Sequence, residues 1–275
     1  MIIAQISDLH LRVDGELLRG RIDSQAALEA VIAHVNGLDP QPDVVLATGD
    51  LAQKGPGQDY GALRAYLDRI RAPVYVIPGN HDKRDALRDA FADKGYLPAT
   101  GKFLHYTVED FPLRLIGLDT TMARNDGGKM SPKRLAWLED RLAEQPDRPT
   151  LIFMHHPPFK VGVRYMDTPA FKGAADLEAL VRRFPNVRRV ICGHLHRHVT
   201  VGWGGTVASV APSAVFQMVL DFDPQARSAY RLEPSAVPVF LWREDTGLVG
   251  HTSLLGDYGP AHPFHPVAAA ADKVA

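Results

Sequence analysis

Apolar residues along the chain fall into two recurring patterns. Short unbroken runs rich in Val, Ile and Leu occur at Ile2 to Ile6, Val44 to Ala47, Val74 to Ile77, Leu113 to Leu118, Thr150 to Met154 and Val187 to Cys192. Strands buried on both faces read this way. Between them, Ala26 to Leu38, Tyr60 to Ile70, Lys83 to Phe91, Lys133 to Ala143 and Asp176 to Phe184 carry the spacing of helices with one apolar face. The alternation predicts a layered α/β fold with a largely parallel sheet in at least its first half.

After about Gly202 the texture changes. Thr206 to Val210, Ala214 to Phe222, Ala229 to Glu233 and Val237 to Arg243 read as strands separated by Gly, Pro and Asp turns, with no helix between them, so antiparallel pairing is predicted. From His251 through Gly259, Pro260, Pro263 and Pro266 the chain is too rich in Pro and Gly for a core element, and Ala268 to Ala275 is expected to fray. No repeat or linker divides the sequence. The simplest partition is one domain, with a core over 1–205 and closing strands plus a C-terminal extension over 206–275. Val215, Phe216, Met218, Val219, Val237, Val239, Phe240 and Leu241 offer more apolar surface than a small edge sheet leaves in water. Either a second sheet covers them internally or they pair the chain into a homodimer, with Phe264 as an aromatic anchor in the tail.

At 275 residues, 45% hydrophobic and 23% charged, the chain is long enough for one large globular domain. No apolar run is long enough to span a bilayer, and Met1 is followed at once by Ile2, Ile3 and Ala4 in place of a basic leader, so a cytoplasmic protein with no membrane partner is expected. Cys192 is the one cysteine, which removes any internal disulfide. Thirty-one basic residues against thirty-two acidic ones create no field that would gather polymeric nucleic acid, so the expected partner is a small molecule.

Chemistry appears at the strand ends. The first strand ends in Ser7-Asp8-Leu9-His10, the second in Gly49-Asp50, the third in Pro78-Gly79-Asn80-His81-Asp82, the fifth in His155-His156-Pro157-Pro158 and the sixth in Gly193-His194-Leu195-His196. Loops beyond the carboxyl ends of strands in an open α/β sheet converge on a common crevice, so these residues should meet in space. Hard carboxylate and amide oxygens with borderline imidazole nitrogens suit Mn, Fe, Zn or Co. Two such ions ~3.5–4 Å apart clamp an in-line displacement at phosphorus and generate hydroxide near neutral pH. Each motif alone has a plainer reading: Asp8 as a helix cap, Gly49 and Gly79 as tight turns, His10 or His155 as a structural histidine. The ordered recurrence of all five favours the metal site.

Asp-x-His, Gly-Asp, Gly-Asn-His-Asp, His-His-Pro-Pro and Gly-His-x-His in this order resemble the calcineurin-like metallophosphoesterases over roughly residues 1 to 200. The opening stretch through Gly20 and Asp23, with Pro78-Gly79-Asn80-His81-Asp82, is similar to the class III cyclic-nucleotide phosphodiesterases and the bacterial glycerophosphodiesterases. The resemblance implies a four-layer α-β-β-α sandwich with two mixed sheets and a C-terminal β-rich extension. It also implies that Asp8, His10 and His196 hold one metal ion, that Asn80, His155 and His194 hold a second, and that Asp50 bridges them. His81 is then the residue that donates to a phosphoryl oxygen or protonates the leaving alkoxide. His156 is expected to orient or pack, and Asp82 either to orient its neighbours or to cap the following helix.

One departure separates subfamilies. Related protein phosphatases carry Gly-Asp-x-Val-Asp-Arg-Gly, whereas this chain has Gly49-Asp50-Leu51-Ala52-Gln53-Lys54-Gly55. The missing arginine would grip a dianionic monoester, so its absence shifts the expectation to a singly charged diester, with Lys54 as a solvated lysine or a point charge. The leading expectation is a metal-dependent phosphodiesterase of small diesters such as 3′,5′-cyclic nucleotides or glycerophosphodiesters. The alternatives are a phosphomonoesterase or nuclease on the same scaffold and a non-catalytic interaction module. Specificity should reside in the loops Leu11 to Asp23, Lys54 to Tyr60 and Phe159 to Thr168. Cys192 reads as a small buried hydrophobe, His198 as a surface residue, and Arg124, Asn125 and Asp126 as a turn or the pocket edge.

Overall fold

In the computed structural model, which describes residues 1–55 and 57–264, the long apolar runs are strands of two mixed sheets. The first part of the chain runs β1 (Ile2–Ile6), α1 (Ser24–Gly37), β2 (Val44–Ala47), α2 (Tyr60–Leu67), β3 (Val74–Val76) and α3 (Arg84–Ala90). The middle adds β4 (Tyr106–Val108), β5 (Arg114–Leu118), α4 (Pro132–Glu144), β6 (Thr150–Met154), α5 (Ala174–Arg182) and β7 (Val187–Cys192). Then come β8 (Val199–Trp203), β9 (Thr206–Val210), β10 (Gln217–Met218), β11 (Tyr230–Arg231), β12 (Ala236–Arg243) and β13 (Gly247–Leu254).

The first sheet has the order β13-β12-β1-β2-β3, parallel across β1 to β3 and antiparallel at β12 and β13. The second has the order β4-β5-β6-β7-β9-β8, parallel from β5 to β9 with an antiparallel strand at each edge. The βαβ crossovers place successive helices side by side, with α1 packed on α2 and α4 on α5. Strands β2, β5 and β6 are buried at every position, because a helix layer covers one face and the other sheet covers the opposite face. The result is the four-layer α-β-β-α sandwich. Its parallel strands end together, and so do the loops that carry Asp and His.

The second half departs from the sequence expectations in instructive ways. Ala214 to Phe222 is not one strand. Ser213 donates its hydroxyl to the Asp8 carbonyl at 2.8 Å and the Ala214 N–H reaches the Ser7 carbonyl, so the chain is pinned under the β1 loop and only Gln217–Met218 pairs, with β11. The Val237 to Arg243 run closes the first sheet beside β1, with Ile2 opposite Leu241 and Ala4 opposite Val239. His251, expected outside the core elements, lies in β13, which pairs with β12 from Arg243↔Gly247 to Ala236↔Leu254. An edge strand with Gly250, His251 and Thr252 facing water leaves no apolar run to read. The half-exposed β8 escaped notice for the same reason, and β4, buried at Tyr106 and Val108, because three residues make too short a run to read.

Of the apolar residues expected to need cover, Val215, Phe216, Val237 and Phe240 are buried inside the chain. The large apolar side chains left in water nearby are Leu220, Phe222 and Leu232. Phe264 is fully exposed and does not pack on the body. Pro266 and Ala268 to Ala275 lie outside the described residues.

Asp23 begins α1 by accepting hydrogen bonds from the Gln25 and Ala26 N–H groups at 3.0 and 2.9 Å. Asp23→Ala therefore loses about 1 kcal/mol of stability. A lower urea midpoint at unchanged m-value checks this, and an unmoved midpoint contradicts it.

Candidate metal centre

Three of the five strand-end loops, those after β1, β2 and β7, place their chemistry by unusual backbone conformations. Asp8, His10, Asp50, His194 and His196 all have positive φ, between 45° and 75°, a region that costs a side-chain-bearing residue energy and turns it off the strand direction. The glycines beside them leave room for close approach. A Cβ on Gly49 would sit 2.5 Å from His155 Nδ1, one on Gly79 would collide with the Asp50 backbone nitrogen, and one on Gly193 would meet Ser7 Oγ and lie 2.8 Å from Asp8 Oδ2. Gly49 has φ near 90°, as a tight turn needs, whereas Gly79 and Gly193 answer to proximity alone.

All the site residues singled out in the sequence meet here. The donor atoms of Asp8, His10 and His196 lie within 4.8 Å of one another, as do those of Asp8, Asp50 and His155. His10 Nε2 is 3.0 Å from His196 Nε2, which is 3.3 Å from Asp8 Oδ1. Asn80 Oδ1 stands 3.1 Å from His155 Nε2 and 3.0 Å from His194 Nδ1. Between the two groups, Asp50 Oδ2 lies 3.4 Å from His155 Nε2 and 3.8 Å from His10 Nε2.

The hydrogen bonds at the far side of each ring test whether this set suits cations. His10 Nδ1 faces Gln53 Oε1 at 2.8 Å, His196 Nδ1 the Phe216 carbonyl at 3.1 Å and His155 Nδ1 the Thr48 carbonyl at 2.8 Å. An amide or carbonyl oxygen only accepts, so each Nδ1 carries hydrogen, and once Nε2 has lost its proton the ring turns a lone pair inward. The His10 and His196 lone pairs then face each other, with carboxylate oxygens around them. Such an arrangement is repulsive on its own and becomes favourable around a cation, so the residues fit a metal pair.

Burial alone would push the Asp8 carboxyl up, yet the electrostatics of the neighbouring His196 and His155 rings outweigh it and hold Asp8 at about 2. Asp50 is likewise held well below the carboxylate range, its burial outweighed mainly by His155. Burial lowers His10 to about 3 and His194 to about 4, so both rings are free of a second proton at neutral pH. His155 goes the other way, to about 9, because Asp50 overcomes its burial.

Asp82 does not cap α3, whose N-cap is Lys83. Its carboxylate instead accepts from the N–H groups of Leu51, Ala52 and Gly79 and from the Tyr60 hydroxyl, clipping the Asp50 loop to the Asn80 loop. Burial and the charge of Asp50 raise it to about 6. His81 donates its backbone N–H to Asp50 Oδ1 at 2.8 Å, stands edge-on to His10, and is partly exposed to the cleft above. Its Nδ1 and the Nε2 of His156 are buried without partners, and His156 is anchored through Nδ1 to the Thr120 hydroxyl.

Lys54 is exposed and lines the neighbouring cleft that also touches His81. Cys192 is fully buried, and burial pushes its thiol up and out of nucleophilic range. His198 and Arg124 are exposed, and Asn125 closes a turn onto the Gly127 N–H. Sequence reading missed Gln53, the carbonyls of Thr48 and Phe216, and Ser7, whose hydroxyl donates to Asp8 at 2.6 Å. Of these only Gln53 offered a signal, a polar residue just past Gly-Asp.

Two outcomes follow from this geometry. Gly193→Ala drives a methyl group into Ser7 and Asp8 and should cost about 1–3 kcal/mol of stability while lowering bound metal, read by chemical denaturation and elemental analysis. Wild-type stability with full metal content contradicts the close approach. A cation that engages His155 must displace the proton this ring holds below about 9. Metal binding at pH 7 should therefore release about one proton, and apparent affinity should rise with pH and level off near 9. Calorimetry in buffers of different ionisation enthalpy measures this, and zero release contradicts it.

The family model described as calcineurin-like phosphoesterase matches residues 1–198. The chain is 36% identical over 266 residues to the protein named Probable glycerophosphodiester phosphodiesterase GpdQ of Arcobacter nitrofigilis, covering 96% of this chain and 97% of that one. It is 32% identical over 216 residues to the 3′,5′-cyclic adenosine monophosphate phosphodiesterase CpdA of Escherichia coli, covering 78% and 76%. In fold it resembles a dimetal phosphatase from Danio rerio, with a TM-score of 0.63 at 14% identity, covering 93% and 99%. The strand-end histidines and aspartates therefore sit in a known scaffold, and the chain belongs to the calcineurin-like phosphoesterase family.

Proposed function

We propose that the protein is a metal-dependent phosphodiesterase that hydrolyses small diesters such as glycerophosphodiesters or 3′,5′-cyclic nucleotides. The observation that carries this reading is Asp50, whose single Oδ2 faces the histidines of both donor groups. In this assignment Asp8, His10 and His196 hold one ion, Asn80, His155 and His194 the other, and Asp50 spans them. When bound, two such ions polarise phosphoryl oxygens and lower the pKa of water. The relatives named for glycerophosphodiester and cyclic-nucleotide hydrolysis support a diester as substrate.

The chain's own residues do the rest. Gln53, Thr48 and Phe216 fix the ring orientations, so the donor atoms need not reorganise. His81, held through its backbone by Asp50 and reaching the cleft, donates to a phosphoryl oxygen or hands a proton to the departing alkoxide. No guanidinium follows Asp50 in its loop to grip a dianionic monoester, which favours a diester.

Turnover of bis-p-nitrophenyl phosphate and p-nitrophenyl phosphate, before and after chelation and after return of Mn or Co, tests this. The diester should be preferred, and its turnover should vanish with the metal and come back with it. Full activity in verified metal-free protein overturns the reading. His81→Ala should keep its metal and lose on the order of 10²–10⁴ in kcat on diesters with poor leaving groups, and less on p-nitrophenyl esters. A loss of metal instead would make His81 a ligand.

A further inference from the structure

The cleft of about 900 Å³ above the metal centre has arginines in its wall that the fold leaves without counter-ions. Arg19, Arg21 and Arg231 line it together with Phe216 and Tyr230. Among the described residues the one acidic side chain lining it is Asp50, which is already engaged with His81 and His155. Arg12, Arg64, Arg84 and Arg197 pair with carboxylates, but among the described residues Arg19, Arg21 and Arg231 take part in no ion pair.

Two of these cations sit on a turn that is built and held in place. Leu18 and Ile22 exchange backbone hydrogen bonds at 2.8 and 3.0 Å, and their side chains are buried in a small apolar cluster with Val215 and Phe216, apart from the main core. The turn between them is Arg19-Gly20-Arg21, with Arg19 at φ 55°. That strained conformation is otherwise concentrated at the metal-centre residues. The Arg19 guanidinium lies 5.9 Å from the centre of the Phe216 ring and 6.0 Å from that of Tyr230. Phe216 in turn lies 4.4 Å from the His196 ring, so one run of rings leads from the metal centre out to the exposed Arg19 guanidinium. Arg231 arrives on a different element, β11.

We propose that Arg19, Arg21 and Arg231 form an anion subsite that selects phosphodiesters whose second ester arm carries its own negative charge. The inference rests on the diesterase reading and narrows its substrates to acyclic diesters with an anionic arm, since a 3′,5′-cyclic nucleotide carries no such second charge. Guanidinium groups without carboxylate partners attract carboxylate or phosphate groups in a forked geometry and repel ammonium head groups. Their mutual repulsion beside a cationic metal pair is relieved when an anionic arm enters. The site then discriminates by charge before any base or sugar is read.

Three p-nitrophenyl phosphodiesters that share one leaving group test the proposal: a 2-carboxyethyl, a propyl and a 3-aminopropyl ester. For the Mn-loaded protein, kcat/KM should favour the carboxyethyl over the aminopropyl ester by about tenfold or more. The double variant Arg19→Glu with Arg21→Glu should invert that ratio, Arg231→Glu should move it the same way, and Arg19→Lys with Arg21→Lys should keep it. A wild-type ratio near one, or a ratio unmoved by charge reversal, overturns the proposal. If none of the three esters is hydrolysed, the diesterase reading fails. Calorimetric binding of the same esters then decides the subsite, with tighter binding of the carboxyethyl ester supporting it and equal binding overturning it.

Discussion

One carboxylate oxygen, Oδ2 of Asp50, has to face His10 from the first sheet and His155 from the second, and much of the architecture is arranged around that demand. The Asp50 backbone is fixed in an uncommon conformation. Its carbonyl accepts from the His10 N–H, its Oδ1 from the His81 N–H, and the next two N–H groups are held by Asp82. Gly79 lacks a Cβ where one would strike Asp50. The two sheets also have to stay in register across the sandwich, because a slip of one side chain's width would part the histidines. The unbroken burial of β2 and β6, the strands that lead to Asp50 and His155, resists such a slip.

Electrostatics makes the same point in energetic language. Asp8 and Asp50 are buried close together with the half-buried Asp82 beside Asp50, which an apolar protein interior does not tolerate without compensation. Asp8 and Asp50 find theirs in His196 and His155, whereas Asp82 has backbone N–H groups, the Tyr60 hydroxyl and the repulsion of Asp50, and its carboxyl rises to about 6. The proton on His155 stands where a cation would give far more compensation.

Much of this was legible in the sequence, for definite reasons. Strands buried on both faces leave unmistakable apolar runs, and the polar residues just beyond them have one crevice to enter. What was not legible has an equally definite cause. The carbonyls of Thr48 and Phe216 that orient His155 and His196 carry no residue identity, so no motif can announce them. The positive φ of Asp8 or His10 is imposed by neighbours far along the chain. Edge strand β13 has the composition of a solvated tail and is fixed by β12. Arg19-Gly20-Arg21 reads as an ordinary surface turn until the fold places it over the metal centre.

The chain after the metal-binding motifs is more than a closing segment. Through Ser213 and Ala214 it grips the Asp8 loop from below, and through the Phe216 carbonyl it sets the His196 ring. Through the faces of Phe216 and Tyr230 it seats Arg19, and Arg231 follows on the same ribbon. Phe216 thus has its backbone in the metal centre and its side chain in the wall of the cleft. The same short ribbon contacts both the His196 imidazole and the cationic wall. The proposed metal centre and the proposed anion subsite therefore share one residue, Phe216, whose ring packs between those of His196 and Tyr230.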